Sequence, residues 1–215
     1  MAPTLTNPAL SLHYGGWEDE PGIAVDSRWR WSGFEDVRTK RTLYLVKHLR
    51  EGWELEFYQG VPPSYQQIGE VTEGKISLRG RKWYTEQIYS KREGFWHKMG
   101  DSLVLKSPFD ERSYIWSHKQ VWDTYTMTVI YLRAQSHKTD ELSSTKYQQL
   151  TDAETKECIV KTKDKHHKKE PDVLEFSDRA ARMLEFVLLS MLQYRREIYK
   201  GNKEFADAVV DGLKG

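Results

Sequence analysis

"RAARMLEFVLLSMLQYRREIYKG", residues 179–201, decides the fold of this chain. Between Met183 and Leu192 the only polar side chains are Glu185 and Ser190. On a helix of about 3.6 residues per turn, Met183, Leu184, Phe186, Val187, Leu188, Leu189, Met191 and Leu192 fall in every sector and leave no wet side. A helix apolar all round is buried or spans a membrane, and this one is too short and too charged at its ends to span. Ser177 and Asp178 suit its N-terminus. Arg195, Arg196 and Lys200 suit its C-terminal dipole, and Gly201 its stop.

The rest of the chain must supply the cover. From residue 42 to 135 the apolar period is two: "TLYLVKH", "WELEFYQ", "QQIGEVT", "KISLRG" and "KWYTEQIYS" are rich in β-branched and aromatic residues. The turn segments "REG", "GVPPS" and "TEG" separate them. "GFWHKM", "DSLVLKS", "SYIWSH" and "VWDTYTMTVIYLRAQ" continue the series, and "KECIVKT" and "DVLEF" close it. Residues 136–155 read as a polar surface excursion, and no internal repeat stands out. The spacing predicts about eleven or twelve antiparallel strands. Side chains fill only small barrels of about eight strands, so a larger one needs a filler. The expected fold is α+β, mainly β: a closed antiparallel β-barrel of about twelve strands around a buried hydrophobic C-terminal helix. A helix pressed between a sheet and a partner subunit is the alternative.

Three regions follow from this. Residues 1–33, with Pro3, Pro8 and Pro21, read as a partly disordered arm, docked by Trp29 and Trp31, which alternate as in a strand. Residues 34–201 make the barrel and its helix. Residues 202–215 form a short amphipathic helix, capped by Asn202, with Phe205, Val209, Val210 and Leu213 in its apolar pattern; it closes the barrel base or binds a partner.

This arrangement resembles the tubby C-terminal-like superfamily, which includes tubby-like proteins, phospholipid scramblases and LURP-one-related proteins, most closely the compact fungal members. The resemblance runs over residues 35–200, through "TLYLVKH", "YQQIGEV", "LVLKSPFDERSYIWSH" and "DVLEFSDRAARMLEFVLLSMLQYRRE". It implies a strand barrel around a C-terminal helix and, from the tubby branch, binding of phosphoinositide head groups by clustered Lys and Arg. "FDERSYIW" lacks the glycine turn common before the aromatic strand, and the acidic calcium-binding segment of scramblases is absent.

Bulk composition narrows the chemistry. The 215 residues carry 33 Lys and Arg against 32 Asp and Glu, too even a balance for a general polyanion binder. One cysteine, Cys158, excludes a disulfide framework and a Cys-based zinc cluster, and no cofactor is expected. "GEVTEGKIS", residues 69–77, starts like a phosphate loop but puts Ile76 where Ser or Thr would hold magnesium, and it runs on as a strand. No signal peptide or membrane span is evident, so the expected location is cytoplasmic, possible at membranes only peripherally.

Candidate groups are few. His97 and His118 follow Trp-containing strands, and His166 and His167 adjoin each other, but no metal-ligand spacing supports any of them. Glu185, alone in an apolar helix, needs a neighbouring Arg or Tyr, an opening beside Arg182, or a proton. Basic clusters occur at Arg38, Lys40 and Arg41; at Arg79, Arg81 and Lys82; and at Lys161, Lys163, Lys165, Lys168 and Lys169. Arg79 and Arg81 would share a strand face with Trp83 and present two guanidiniums to an anionic head group, with Lys82, Lys163 and Lys165 adding attraction. The functional expectation is a non-enzymatic binding or adaptor module for anionic phospholipid or a protein partner. The alternative is an enzyme acting on a small hydrophobic molecule at the barrel mouth, with Glu185, His97 or His118 as acid or base. A nucleic-acid partner has only weak support.

Overall fold

The computed structural model describes residues 5, 8–16, 29–49, 54–72, 74–91, 102–121, 145–163 and 172–195. Among the described residues thirteen strands form one antiparallel sheet. They are β1 (Leu10–Gly16), β2 (Trp29–Asp36), β3 (Thr42–Leu49), β4 (Leu55–Gln59), β5 (Gln66–Thr72), β6 (Lys75–Leu78), β7 (Arg81–Tyr84), β8 (Tyr89–Lys91), β9 (Ser102–Lys106), β10 (Ser113–Val121), β11 (Thr145–Asp152), β12 (Cys158–Lys163) and β13 (Asp172–Phe176). Three helical pieces accompany them: α1 (Thr85–Ile88), α2 (Asp178–Arg182) and α3, helical over residues 184–195.

The order across the sheet is β7-β6-β5-β4-β3-β2-β1-β13-β12-β11-β10-β9-β8. Its two edges, β7 and β8, are joined by the four residues of α1. Laid flat, thirteen strands would separate those edges by about 60 Å, whereas four helical residues advance about 6 Å. The sheet therefore curls until its edges approach. Among the described residues no ladder joins β7 to β8; α1 packs against β7, β8 and β9 at that seam instead. A mainly antiparallel fold is thus present, and among the described residues its hydrogen bonding does not run round as a ring.

Contacts along α3 show what the curl encloses. Glu185 meets Tyr44 of β3, and Phe186 meets Trp83 of β7. A Cβ on Gly69 of β5 would lie 3.1 Å from Leu189 Cδ1. Ser190 Oγ accepts from Trp116 Nε1 of β10 at 2.9 Å, and Tyr194 stacks on the same indole. At the far end the Arg195 guanidinium sits over Tyr14 of β1, donates to Gln148 of β11 and pairs with Asp172 of β13. Residues 186–194 are all buried, Leu188 fully and Phe186 to within 2%. Their cover comes from alternate side chains of the strands: Leu12, Phe34, Tyr44, Val46, Leu55, Phe57, Val71, Ile76, Leu105, Tyr114, Leu150 and Leu174 all join one core. Across β1 to β4 an aromatic row, Tyr14–Phe34–Phe57–Tyr44, gives that wall part of its thickness.

Several sequence expectations change. Residues 10–16 and 29–33, read as part of an arm, lie in β1 and β2 near the middle of the sheet, where β1 pairs with both β2 and β13. Only Leu10, Leu12 and Tyr14 alternate there, too short a run to stand out between Pro8 and two glycines. The excursion expected over 136–155 contains β11, whose Gln148, Gln149 and Asp152 are buried, so polarity concealed a strand. "KWYTEQIYS" divides into β7, α1 and β8. Ser177 caps α2, which ends at Met183 with φ −118° and ψ 32°, so the apolar segment follows as a separate helix. "GEVTEGKIS" is the β5–β6 hairpin. The segment "GFWHKM", residues 122–135 and the amphipathic segment 202–215 lie outside the described residues.

The fold also contains a repeat that apolar pattern did not reveal. The β2–β3 loop Asp36–Arg41 and the β11–β12 loop Asp152–Glu157 share Asp-x-x-Thr-Lys. In each, the Asp carboxylate accepts from the two N–H groups at the second and third following residues. The loop closes from the Asp N–H to the carbonyl five residues on, and the Lys has φ near +60°. Each hairpin is also bulged at the same place, skipping Leu43 or Ile159. The β9–β10 loop Ser107–Arg112 closes identically, with Ser107 Oγ replacing the carboxylate.

Candidate functional site

Where α2 breaks into α3, the curled sheet opens into a cleft of about 870 Å³. Its floor is apolar: Leu78, Met183, Leu184 and Phe186, with Phe109 at the rim. Phe109 packs edge-on to Phe186 and against Trp83, so this aromatic cluster continues the core to the surface. Five arginines line the same space, Arg79, Arg81, Arg112, Arg179 and Arg182, against two carboxylates, Asp110 and Glu185.

Local sequence explains each placement. Arg79 and Gly80 form the two-residue loop between β6 and β7, with Leu78 paired to Arg81 and φ of +49° and +77°. That is the primed hairpin turn that matches strand twist. Arg79 N–H donates to Ile68 O at 2.6 Å, which fixes the turn on β5. The guanidinium then reaches across the cleft: Nε donates to Glu185 Oε2 at 2.6 Å and Nη2 to Glu185 Oε1 at 2.5 Å, with Gln59 Oε1 also accepting from Nη2 at 2.8 Å. The hydrogen bonds to Glu185 raise the Arg79 pKa further above its already high ordinary value. Tyr44 OH donates to the same carboxylate at 3.5 Å; burial first, then the Glu185 charge, push its phenol up to about 12.

Asp152 organises the opposite wall. Its Oδ1 accepts the loop N–H groups of Glu154 and Thr155, as Asp36 does in the twin loop. Its Oδ2 is a second acceptor, taken by Arg112 Nη1 at 3.0 Å and Arg179 Nη1 at 2.7 Å. The carboxylate is 1% exposed. Burial works against its ionisation, but the two loop N–H donors and Arg112 outweigh that and hold it at about 2. Arg179 also pairs with Glu157. The loop thus ties the β9–β10 loop, β11 and α2 together and brings two guanidiniums to the cleft. Partial desolvation raises the exposed Asp110, but Tyr114, Ser107 and the Arg112 N–H outweigh it and hold it below its ordinary range.

Two arginines remain uncommitted. Arg81 lies with its guanidinium 6.0 Å from the Phe109 ring centre, and Arg182 is exposed at the end of α2. Among the described residues neither has a carboxylate in salt-bridge range. Residues 183–186 bring the N-terminal end of α3 to the same floor, so the helix dipole adds to the positive field.

The expected basic site is therefore only half assembled. Arg79 and Arg81 line one cleft, but across a turn; they do not share a strand face, and Trp83 faces the core cluster. Lys82 is an exposed residue of β7 that does not line the cleft. Lys163 is the last residue of β12, at the end opposite the Asp152–Glu157 loop. Lys165, His97, His166 and His167 lie outside the described residues, and His118 contributes a backbone position in β10. Glu185 has the Arg and Tyr partners that its isolation in an apolar helix requires. Sequence reasoning missed Arg112, Arg179 and Phe109; the Asp-x-x-Thr-Lys repeat was the signal for the loop that places the first two. Among the described residues no group of three His, Cys, Asp or Glu side chains is placed to hold a metal ion. No family model, curated protein or solved structure matches the chain.

Proposed function

We propose that the chain is a binding module for an anionic phospholipid head group, and that the arginine cleft is its site. The observation that carries this is the pair of uncommitted guanidiniums, Arg81 and Arg182, over an apolar floor with an exposed Phe109. Guanidinium forks match phosphate oxygens, and a rim aromatic beside them suits the boundary between head group and acyl chain. Each basic side chain brought to an anionic leaflet contributes about 1 kcal/mol. A peripheral mode of contact fits the absence, among the described residues, of any helix long and apolar enough to cross a membrane. In this reading α1 and the sheet together make a closed wall around α3, the architecture that the resemblance to tubby-like and LURP-one-related proteins implies.

Catalysis has less support. The Glu185 carboxylate is held on both oxygens by Arg79, which suits an anion-holding role better than proton transfer. The test is co-sedimentation with phosphatidylcholine vesicles, with and without a phosphoinositide, using wild type and an R81A/R182A double variant. Binding is expected only to the charged vesicles and is expected to fall about tenfold or more in the variant. Equal binding to both vesicle types would remove the proposal.

A further inference from the structure

The Arg79–Glu185 pair deepens the binding proposal and rests on it. The carboxylate lies where a ligand anion would lie: inside the cleft, on the N-terminal end of α3, gripped at both oxygens by one fork. That two-point grip is the one arginine offers to phosphate. We infer that Glu185 is a tethered stand-in for the ligand's anion, and that the ligand is a phosphate monoester, whose charge is enough to take Arg79 from it.

Both partners can part without being stranded. Arg79 is 51% exposed at its side chain; its backbone is pinned to Ile68 and its Nη2 keeps Gln59, so the guanidinium stays at the cleft wall when Glu185 leaves. Glu185 keeps the Tyr44 hydroxyl and the helix end, which favours a carboxylate. Nothing in the core has to move. The competition is then set by charge. A carboxylate or phosphodiester brings one negative charge, no more than Glu185, and lacks the tether. A phosphate monoester brings a charge of about −1.5 to −2 and three acceptor oxygens, enough to engage Arg79 together with Arg81 and Arg182. Glu185 therefore acts as a specificity-determining residue: it excludes monoanions and admits dianions.

The test is calorimetric titration of the whole chain with inorganic phosphate and with acetate, in wild type, E185Q and R81A/R182A. Wild type is expected to bind phosphate and to show no acetate binding. E185Q, which keeps the side-chain shape and the contact with Tyr44, is expected to bind phosphate about tenfold more tightly and to gain acetate binding. Phosphate binding lost in R81A/R182A but unchanged in E185Q would overturn the stand-in and leave the cleft reading intact. Phosphate binding unaffected by R81A/R182A would overturn both. If E185Q fails to fold, the wild-type comparison decides: acetate binding as tight as phosphate overturns the inference. Phosphatidylcholine vesicles containing phosphatidic acid, compared with ones containing phosphatidylglycerol, then separate a lipid source from a soluble one. Preference for phosphatidic acid supports the dianion rule on a lipid; equal binding to the two lipids overturns it there.

Discussion

Gly69→Ala tests the enclosure of α3 more sharply than any truncation. Gly69 sits in β5, paired with Phe57 and Leu78. A Cβ there would stand 2.8 Å from the Ser77 carbonyl oxygen and 3.1 Å from Leu189 Cδ1, and real Cβ atoms essentially never approach within 3.0 Å. The oxygen belongs to the neighbouring strand's backbone and cannot rotate away; the leucine can yield only into a packed core. Overpacking of this kind costs about 1–3 kcal/mol, and in a chain of this size each kcal/mol moves the melting midpoint by about 2–4 °C. Leu189→Ala alone should cost about 2–5 kcal/mol by opening a cavity. In the double variant the leucine clash is gone while the carbonyl clash remains, so the two changes should be sub-additive by at least about 0.5 kcal/mol. Urea unfolding of the four proteins measures this. Strict additivity with Leu189→Ala would mean that α3 does not lie against β5, and a neutral Gly69→Ala would deny the close approach of the Ser77 carbonyl as well.

Two further outcomes follow from the buried polar groups. Ser190→Ala leaves the Trp116 Nε1–H without its acceptor inside the core and should cost about 1–3 kcal/mol in urea unfolding; a loss under about 0.5 kcal/mol would show that the indole is not bonded there. Asp152, ordinarily at 3.8 and held at about 2 in the fold, contributes stability that is fully present above about pH 4 and lost as pH falls through about 2. Its share is about 2 kcal/mol. Asp152→Asn should remove that part of the acid slope, and an unchanged slope between pH 4 and 2 would disprove the assignment.

The buried helix was legible because Leu188 and its neighbours leave no polar sector, a pattern that only enclosure satisfies in water. Strands such as β3, β5 and β10 were legible from their alternation. β11 was not, because Gln148 turns an amide inward to accept from Arg195, and periodicity cannot distinguish a satisfied buried amide from a wet one. The site was half legible. Charge clusters flagged Arg79 and Arg81, but "RG" between two strands is turn chemistry, and that turn decides where Arg79 points. Arg112, Arg179 and Asp152 meet from three separate segments, a convergence that only the tertiary fold creates.

The element at the centre of this molecule is also the one that follows all thirteen described strands in the chain. While a nascent chain is being made, the inward faces of Leu12, Phe34, Phe57 and Trp116 have nothing to close on until residues 184–195 leave the ribosome. The edge of β1 likewise waits for β13. Synthesis that stops short of Asp172 would present a wet apolar trough with an unpaired strand edge, the kind of surface chaperones recognise and aggregates grow from.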